Sequence, residues 1–377
     1  MSKVISSPAT GILLSILMLA APVQAQVFVG ETRMTEYYVP SVSSSPSMTG
    51  SVSQLYVRER ILPGTDTRDL PNKVVLFVHG AGTPAEVAFD VSDKDYSWMD
   101  YLAQRGFDTF SVDMTGYGRS TRPLQMNDRC NLSAAQQQTV FGSTCEANFK
   151  QGATTLASDW DDLDAVVNYL LKLRNVETVH LVAWSLGGPR AGGYAALHPD
   201  KVSNLVLLAP AYIRATPATL AEAPLDGDLM NTQNETEFFS NWDRQVGCLD
   251  QYDSRVGNVI WKDMLASDPV GATWGTGVRR APRTVNFGWT PEMVGGMQTP
   301  VLMVAGVQDK QVNPDLVKAL YDDIGSDRKV YLEMECSSHN AMWEEDAQQL
   351  FNASYQWLTG SSYDGQTTGM IQLKTSH

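Results

Sequence analysis

The sequence predicts an α/β fold: a mostly parallel central sheet flanked by helices, interrupted by one inserted, mostly helical segment. Three observations predict it. Short runs such as VVLFV at residues 74–78 are apolar at every position, as strands buried on both faces are. These runs alternate with stretches of helical spacing, the rhythm of parallel strands joined by crossover helices. The rhythm fails after Pro210 and resumes at Pro300, which marks the insertion.

Taken in order, the chain opens on an export signal. Lys3 gives a positive start, residues 11–21 (GILLSILMLAA) an apolar run, and Val23-Gln24-Ala25 small residues for cleavage before Gln26. The run is too short to span a bilayer, which needs about 20 apolar residues. Residues 1–25 are therefore read as a signal peptide, and residues 26–50, rich in Ser, Thr, Pro and Tyr, as an extended leader. Residues 51–210 and 299–360 make the core.

Within the core, residues 54–61 (QLYVRERI) alternate like a half-exposed edge strand. The run at 74–78 ends in His79-Gly80-Ala81-Gly82. A helix at 96–105, a strand at 107–113 and the glycine-rich turn 115–120 (TGYGRS) follow. Residues 122–145 are polar and irregular. A long helix is predicted over about 147–173, its apolar positions at helical spacing. Its aspartates Asp159, Asp161, Asp162 and Asp164 are expected mostly to face solvent. Next come the strand 179–184, a helix 187–198 and a strand 202–209. Residues 211–298, rich in Trp, Met, Gly and Pro, read as an inserted lid. The rhythm then resumes with a strand at 300–305, a helix at 314–324, a strand at 329–334 and a helix at 341–358. Residues 361–377 read as a polar, frayed tail.

Composition excludes some classes of function. A formal net charge of -14 would repel nucleic acid, and no basic run answers it. No second segment is apolar enough for stable membrane insertion. Four cysteines in an exported chain suggest two disulfides. Cys130 and Cys145 bracket a polar stretch and are the natural pair, leaving Cys248 to Cys336, although three connectivities are possible. No C-x-x-C occurs and the five histidines are scattered, so no metal and no cofactor is implied.

The stretch 179–190 (VHLVAWSLGGPR) carries the chemistry. An apolar run breaks at Ser185, with Ala183 two residues before and Gly187 two after. That is the spacing of a nucleophile elbow, with Ala183 where the first glycine usually stands. A serine hydroxyl needs a general base, and the base an orienting acid. Elimination among five histidines leaves His339, in the loop CSSHN between a strand and a helix. His79 belongs to a glycine-rich turn, His180 lies inside the serine's own strand, His198 ends a helix and His377 ends the chain. Asp309 follows the strand 300–305, at the same sheet edge as Ser185. The oxyanion hole would take backbone amides of Leu186 and Ala81.

On HGAG at 79–82, DMTGYGRS at 113–120, AWSLGG at 183–188, GVQD at 306–309 and SSHN at 337–340, the chain resembles the α/β-hydrolase superfamily. The resemblance implies the α/β-hydrolase fold, nucleophile Ser185, base His339, acid Asp309 and oxyanion amides Ala81 and Leu186. DMTGYGRS is similar to the turn of epoxide hydrolases and haloalkane dehalogenases, which carry an aspartate where this chain has Ser185. The expectation is an exported (periplasmic or secreted) serine hydrolase. Its substrate would be a small-molecule or polymer ester with an apolar acyl or alcohol part, bound in an apolar or aromatic pocket. Lactone, amide, peptide or C–C bond hydrolysis on the same residues stays open, as does a non-catalytic binding protein.

Overall fold

The computed structural model describes residues 31–214, 228–285 and 289–375. The expected signal peptide and His377 lie outside the described residues. The elements in chain order are β1 (Arg33–Val42), β2 (Val52–Ile61), β3 (Val74–Val78), α1 (Ala85–Phe89), α2 (Trp98–Ala103), β4 (Asp108–Val112), α3 (Ala134–Phe141), β5 (Thr154–Thr155), α4 (Leu156–Arg174), β6 (Val179–Trp184), α5 (Gly187–Leu197) and β7 (Val202–Leu208). Then follow β8 (Met230–Gln233), α6 (Glu235–Asp243), α7 (Ser254–Ser267), β9 (Arg279–Pro282), β10 (Thr284–Val285) and α8 (Pro291–Gly296). The chain closes with β11 (Val301–Gly306), α9 (Pro314–Asp323), β12 (Lys329–Met334), α10 (Ala347–Gly360) and β13 (Thr368–Leu373).

Nine strands form one sheet in the order β1-β2-β4-β3-β6-β7-β11-β12-β13. The β1/β2 and β2/β4 pairs are antiparallel and every other pair is parallel. β3, β4, β6 and β11 are buried at every residue, so both faces of the sheet centre are covered. Helix α4 packs on β1, β3 and β6 and beside α5, while α10 packs on α2, β7 and β11. The parallel strands β3, β6, β11 and β12 all end at one sheet edge. Among the described residues no helix is long and apolar enough to cross a membrane.

Both sheet edges lie where composition predicts none. Arg33–Val42, in the predicted leader, pairs along its length with Val52–Ile61. The stretch 54–61, expected at the edge, is therefore the second strand and mostly buried. Thr368–Leu373, in the predicted tail, pairs in parallel with β12. Its residues alternate between exposed and half-buried. Backbone hydrogen bonds rather than apolar burial hold such an edge, so no apolar run marks it in the sequence.

The long helix starts later than 147. Thr155 accepts the Ser158 amide and Ser158 answers the Thr155 amide, a capping box that fixes the first turn at Leu156. Asn175 ends it in the left-handed region at φ 52°. Two of the aspartates expected in water are buried. Asp159 pairs with the fully buried Arg190 of α5 at 2.7 Å. Asp162 accepts the Thr115 amide at 3.0 Å. Burial without a counter-charge pushes the Asp162 carboxyl up to about 7. Helical periodicity cannot separate a solvated face from one that meets a partner far away in sequence.

Between β7 and β11 the segment is helical in α6, α7 and α8, but it also carries strands. β8 and β9 form an antiparallel pair, and β10 pairs in parallel with β5. The segment's tryptophans mostly build packing: Trp242 stacks on Tyr252 and meets Trp343, Trp261 stacks on Phe238, and Trp289 meets Tyr212.

Candidate active site

Ser185 follows the last residue of β6 at φ 58°, a left-handed conformation that costs a non-glycine residue energy. Its neighbours explain how the turn closes. A Cβ on Gly187 would stand 2.3 Å from the Val78 carbonyl oxygen, and one on Gly80 would stand 2.8 Å from the Ser185 Cβ. A Cβ on Gly188 would meet Pro210 at 2.5 Å. The elbow therefore sits in contact with the end of β3 and the turn after β7, and glycines are required at those crossings. Ala183, inside β6 and fully buried, keeps its methyl group without breaking the β3 and β7 pairings.

Asp309 and His339 meet at the ends of β11 and β12. His339 Nδ1 lies 2.8 Å from Asp309 Oδ2, and Oδ1 of that carboxylate accepts the amides of Gln311 at 2.7 Å and Val312 at 2.8 Å. Both residues are almost wholly buried. The two loops are joined along their backbones: the Gln308 amide donates to the Ser337 carbonyl at 2.9 Å. A Cβ on Gly306 would stand 2.4 Å from that same oxygen. The His339 carbonyl accepts the Trp184 indole N–H at 2.7 Å, tying the histidine to the residue before Ser185.

Ser185 and His339 line one cavity of about 110 Å³, together with Ala81, Thr83, Trp184, Gln233, Phe238, Asn241, Arg279, Gln311, Asn340 and Trp343. Gln233, Phe238, Asn241 and Arg279 come from the segment between β7 and β11. The lining is mixed: the rings of Trp184, Phe238 and Trp343 stand beside polar side chains, where the Trp and Met content of residues 211–298 predicts an apolar or aromatic pocket. The segment's tryptophans are spent on packing and amide side chains face the space instead. A larger cavity of about 380 Å³ lies where Arg68–Asn72 and Asn175–Thr178 lead into β3 and β6, at the opposite ends of the strands. Neither serine nor histidine lines it.

The sequence-predicted oxyanion residues fall beside Ser185. Ala81 lines the cavity, and Leu186 is the residue from which α5 starts. The turn carrying Ala81 is fixed from below by Arg190, whose Nη1 donates to the carbonyls of His79 at 2.9 Å and Gly80 at 3.1 Å. His79 completes the support: its Nε2 accepts the Met114 amide at 3.1 Å, leaving Nδ1–H to donate to the Gly80 carbonyl at 2.8 Å. Burial and the nearby Arg190 hold His79 well below the usual histidine range, so it stays neutral. His180 is likewise buried and pushed down to about 4 by desolvation. The motif at 113–120 is also structural. Asp113 accepts the Ala85 and Arg119 amides, and a Cβ on Gly118 would strike its carboxylate.

Sequence reasoning missed the groups that hold the histidine loop. Glu344 is buried and accepts from the Ser338 amide at 2.7 Å, the Ser338 hydroxyl, the Trp242 indole at 2.8 Å and the Gln251 amide at 3.1 Å. Burial raises its carboxyl even so. The Lys310 amide donates to Gln245 at 3.0 Å, and the Glu345 amide donates to the Gln251 carbonyl at 3.0 Å. The disulfides pair Cys130 with Cys145 and Cys248 with Cys336. The second joins the same stretch, residues 242–251, to the start of the histidine loop. Disulfides persist in oxidising compartments. Among the described residues no group of three or more His, Cys, Asp or Glu could hold a metal ion.

Comparison with known proteins places this arrangement. The poly(3-hydroxyalkanoate) polymerase subunit PhaC of Thiocystis violacea is 26% identical over 187 residues, 42% of this chain and 53% of that protein. A multifunctional-autoprocessing repeats-in-toxin protein of Vibrio vulnificus is 25% identical over 183 residues, 47% of this chain and 2% of that protein. The chain thus spans about half or less of the length of these curated relatives. The solved structure of a thermophilic esterase from Thermogutta terrifontis is similar in fold, with a TM-score of 0.54 at 16% identity over 86% of this chain and 99% of that one. Residues 73–346 match the family described as alpha/beta hydrolase fold. That match takes in well over half of the chain, including Ser185, Asp309 and His339, and the chain belongs to the alpha/beta hydrolase fold family.

Proposed function

We propose that the protein is an exported serine hydrolase that cleaves carboxylic esters through an acyl-enzyme. Ser185 Oγ attacks the ester carbonyl while His339 Nε2 takes its proton. Asp309, fixed by two backbone amides, keeps the other ring nitrogen protonated and stabilises the imidazolium. The amides of Ala81 and Leu186 receive the developing oxyanion, each worth roughly a hundred- to a thousand-fold in rate. His339 returns the proton to the leaving alcohol. Water, deprotonated by the same histidine, then releases the acid and regenerates Ser185. Segment 211–298 acts as the lid and sets substrate choice. The apolar part of the ester rests on Phe238 and Trp343, and the ester belongs to a small molecule or to a polymer.

The observation that carries this reading is the shared cavity: Ser185 and His339 line one space, with Asp309 on the far nitrogen of the ring. The apolar N-terminal run and the two disulfides support export to the periplasm or medium. A fluorophosphonate probe should label the wild type and leave Ser185→Ala unlabelled. Chromogenic esters should be turned over well ahead of matched anilides. An unlabelled wild type, or equal labelling of Ser185→Ala, sinks the catalytic reading. N-terminal sequencing of protein recovered outside the cytoplasm tests cleavage before Gln26.

A further inference from the structure

One charge in the cavity is not used by this reaction. Arg279 opens β9, and its Nε and Nη2 both donate to Gln233 Oε1, at 3.1 Å for Nε. Its Nη1 is shut off from solvent and has no hydrogen-bond partner among the described residues. The arginines buried more deeply than Arg279 each face a carboxylate: Arg174 meets Glu59 and Asp108, Arg190 meets Asp159, and Arg280 meets Asp268 at 2.7 Å. Arg279 forms no ion pair among the described residues, and Asp268 is already held by Arg280. Arg279 as a whole is half-buried, but its Nη1 is desolvated without a counter-charge, which is costly, and desolvation pushes this guanidinium down to about 10.

Its location is specific. Gly82, at φ +79°, follows Ala81, and a Cβ there would stand 3.1 Å from Arg279 Nη1 and 3.2 Å from Nη2. The missing side chain makes the room in which the guanidinium lies against the oxyanion turn. A second cavity, of about 220 Å³, shares Ala81, Gln233 and Arg279 with the one holding Ser185. The other polar groups lining the two cavities are the amides Asn231, Gln233, Asn241, Gln311 and Asn340, the hydroxyls of Thr83, Thr232 and Ser185, and His339. Among the described residues no other arginine and no lysine lines either cavity, so the site suits a monoanion rather than a dianion.

We propose that Arg279 is a specificity residue that binds a carboxylate on the substrate, so that the preferred esters of this enzyme carry a free carboxylate beside an apolar stem. This rests on the serine-esterase reading above. The carboxylate supplies the missing counter-charge, and Gln233 holds the guanidinium in place to receive it.

The test compares kcat/KM for two matched pairs: mono-p-nitrophenyl adipate against p-nitrophenyl hexanoate, and 4-acetoxybenzoate against phenyl acetate. The pairs place the carboxylate on the acyl side and on the alcohol side. In one pair at least, the anionic-to-neutral ratio should fall on the order of 10- to 100-fold in Arg279→Gln. Gln233→Glu, which gives the guanidinium an internal partner, should lower it too, and Arg279→Lys should retain part of it. Ratios equal to wild type in both pairs for Arg279→Gln and Gln233→Glu overturn the proposal. Binding read by thermal shift separates this failure from that of the esterase reading. N-methyladipamic acid should stabilise the wild type more than N-methylhexanamide, and Arg279→Gln should lose the difference. No difference in the wild type, either for this pair or for the alcohol-side pair 4-acetamidobenzoate against acetanilide, overturns the carboxylate site even if esters are cleaved. A difference lost in the variant upholds the site even if no ester is cleaved.

Discussion

His339 Nδ1 and Asp309 Oδ2 stand 2.8 Å apart, and the second oxygen of that carboxylate is pinned by two backbone amides. The carboxylate is therefore oriented by the chain itself and cannot turn to follow a displaced ring. Asp309→Asn keeps the shape and reverses the hydrogen-bonding sense, favouring the wrong tautomer of His339. Its kcat for a chromogenic ester should fall on the order of 10⁴-fold, by analogy with the same change in chymotrypsin-type enzymes, with KM little altered. Steady-state kinetics checks this. A loss confined to KM would remove Asp309 from the role given to it.

Arg190 should couple stability to rate. It joins Asp159 on α4 to the carbonyls of His79 and Gly80 while wholly buried. Arg190→Met leaves the buried Asp159 without its partner, and breaking such a pair costs about 3–5 kcal/mol. Urea unfolding should show that loss. In the protein that remains folded, kcat should fall more than KM rises, because the turn carrying the Ala81 amide loses its support.

Asp162 gives a pH signature. Its folded-state carboxyl titrates near 7, above the ordinary aspartate range. An acid raised in the folded state contributes stability that is complete below its unfolded value and is lost as pH rises toward 7. Asp162→Asn can still accept the Thr115 amide but cannot ionise. The variant should therefore gain stability relative to wild type between pH 4 and 7, at a limiting slope of about 1.4 kcal/mol per pH unit. Comparing the pair, rather than reading wild type alone, cancels the opposite trend from His180, whose depressed value costs stability as pH falls from about 6.5. Denaturant titrations at several pH values decide it.

The two disulfides should differ in effect. Loop closure over the 15-residue separation of Cys130 and Cys145 is worth about 3 kcal/mol, and over the 88 residues between Cys248 and Cys336 about 4.6 kcal/mol. Replacing Cys248 and Cys336 together by serine should cost more stability than replacing the other pair. It should also lower kcat, because Cys336 opens the histidine loop.

The parts of this molecule that reveal themselves in sequence are those whose signal is local. A strand buried on both faces is a solid apolar run, and a tight elbow needs small residues around Ser185. With few histidines, loop position alone singles out His339. What stayed hidden depends on distant partners. Asp159 is indistinguishable from a surface aspartate until Arg190 is placed beside it. β1 and β13 are edges whose side chains give no apolar run. Arg279 and Glu344 lie in polar stretches, and only the folded chain turns one into a cavity wall and the other into the anchor of a loop. The tryptophans of 211–298 illustrate the same limit of local signal: composition shows that large rings are buried, not which surface they bury.

The stretch from Trp242 to Gln251 touches the acid loop through Gln245 and the histidine loop through Glu344 and Cys336. A flap joined to its body only at the two ends of its chain can swing like a gate. This one is also riveted partway along, directly to the loop that carries His339. While the rivet holds, this stretch stays tied to the loop that carries His339. Reducing that disulfide should loosen the stretch from the loop that carries His339, so a reductant should change turnover before it unfolds the sheet.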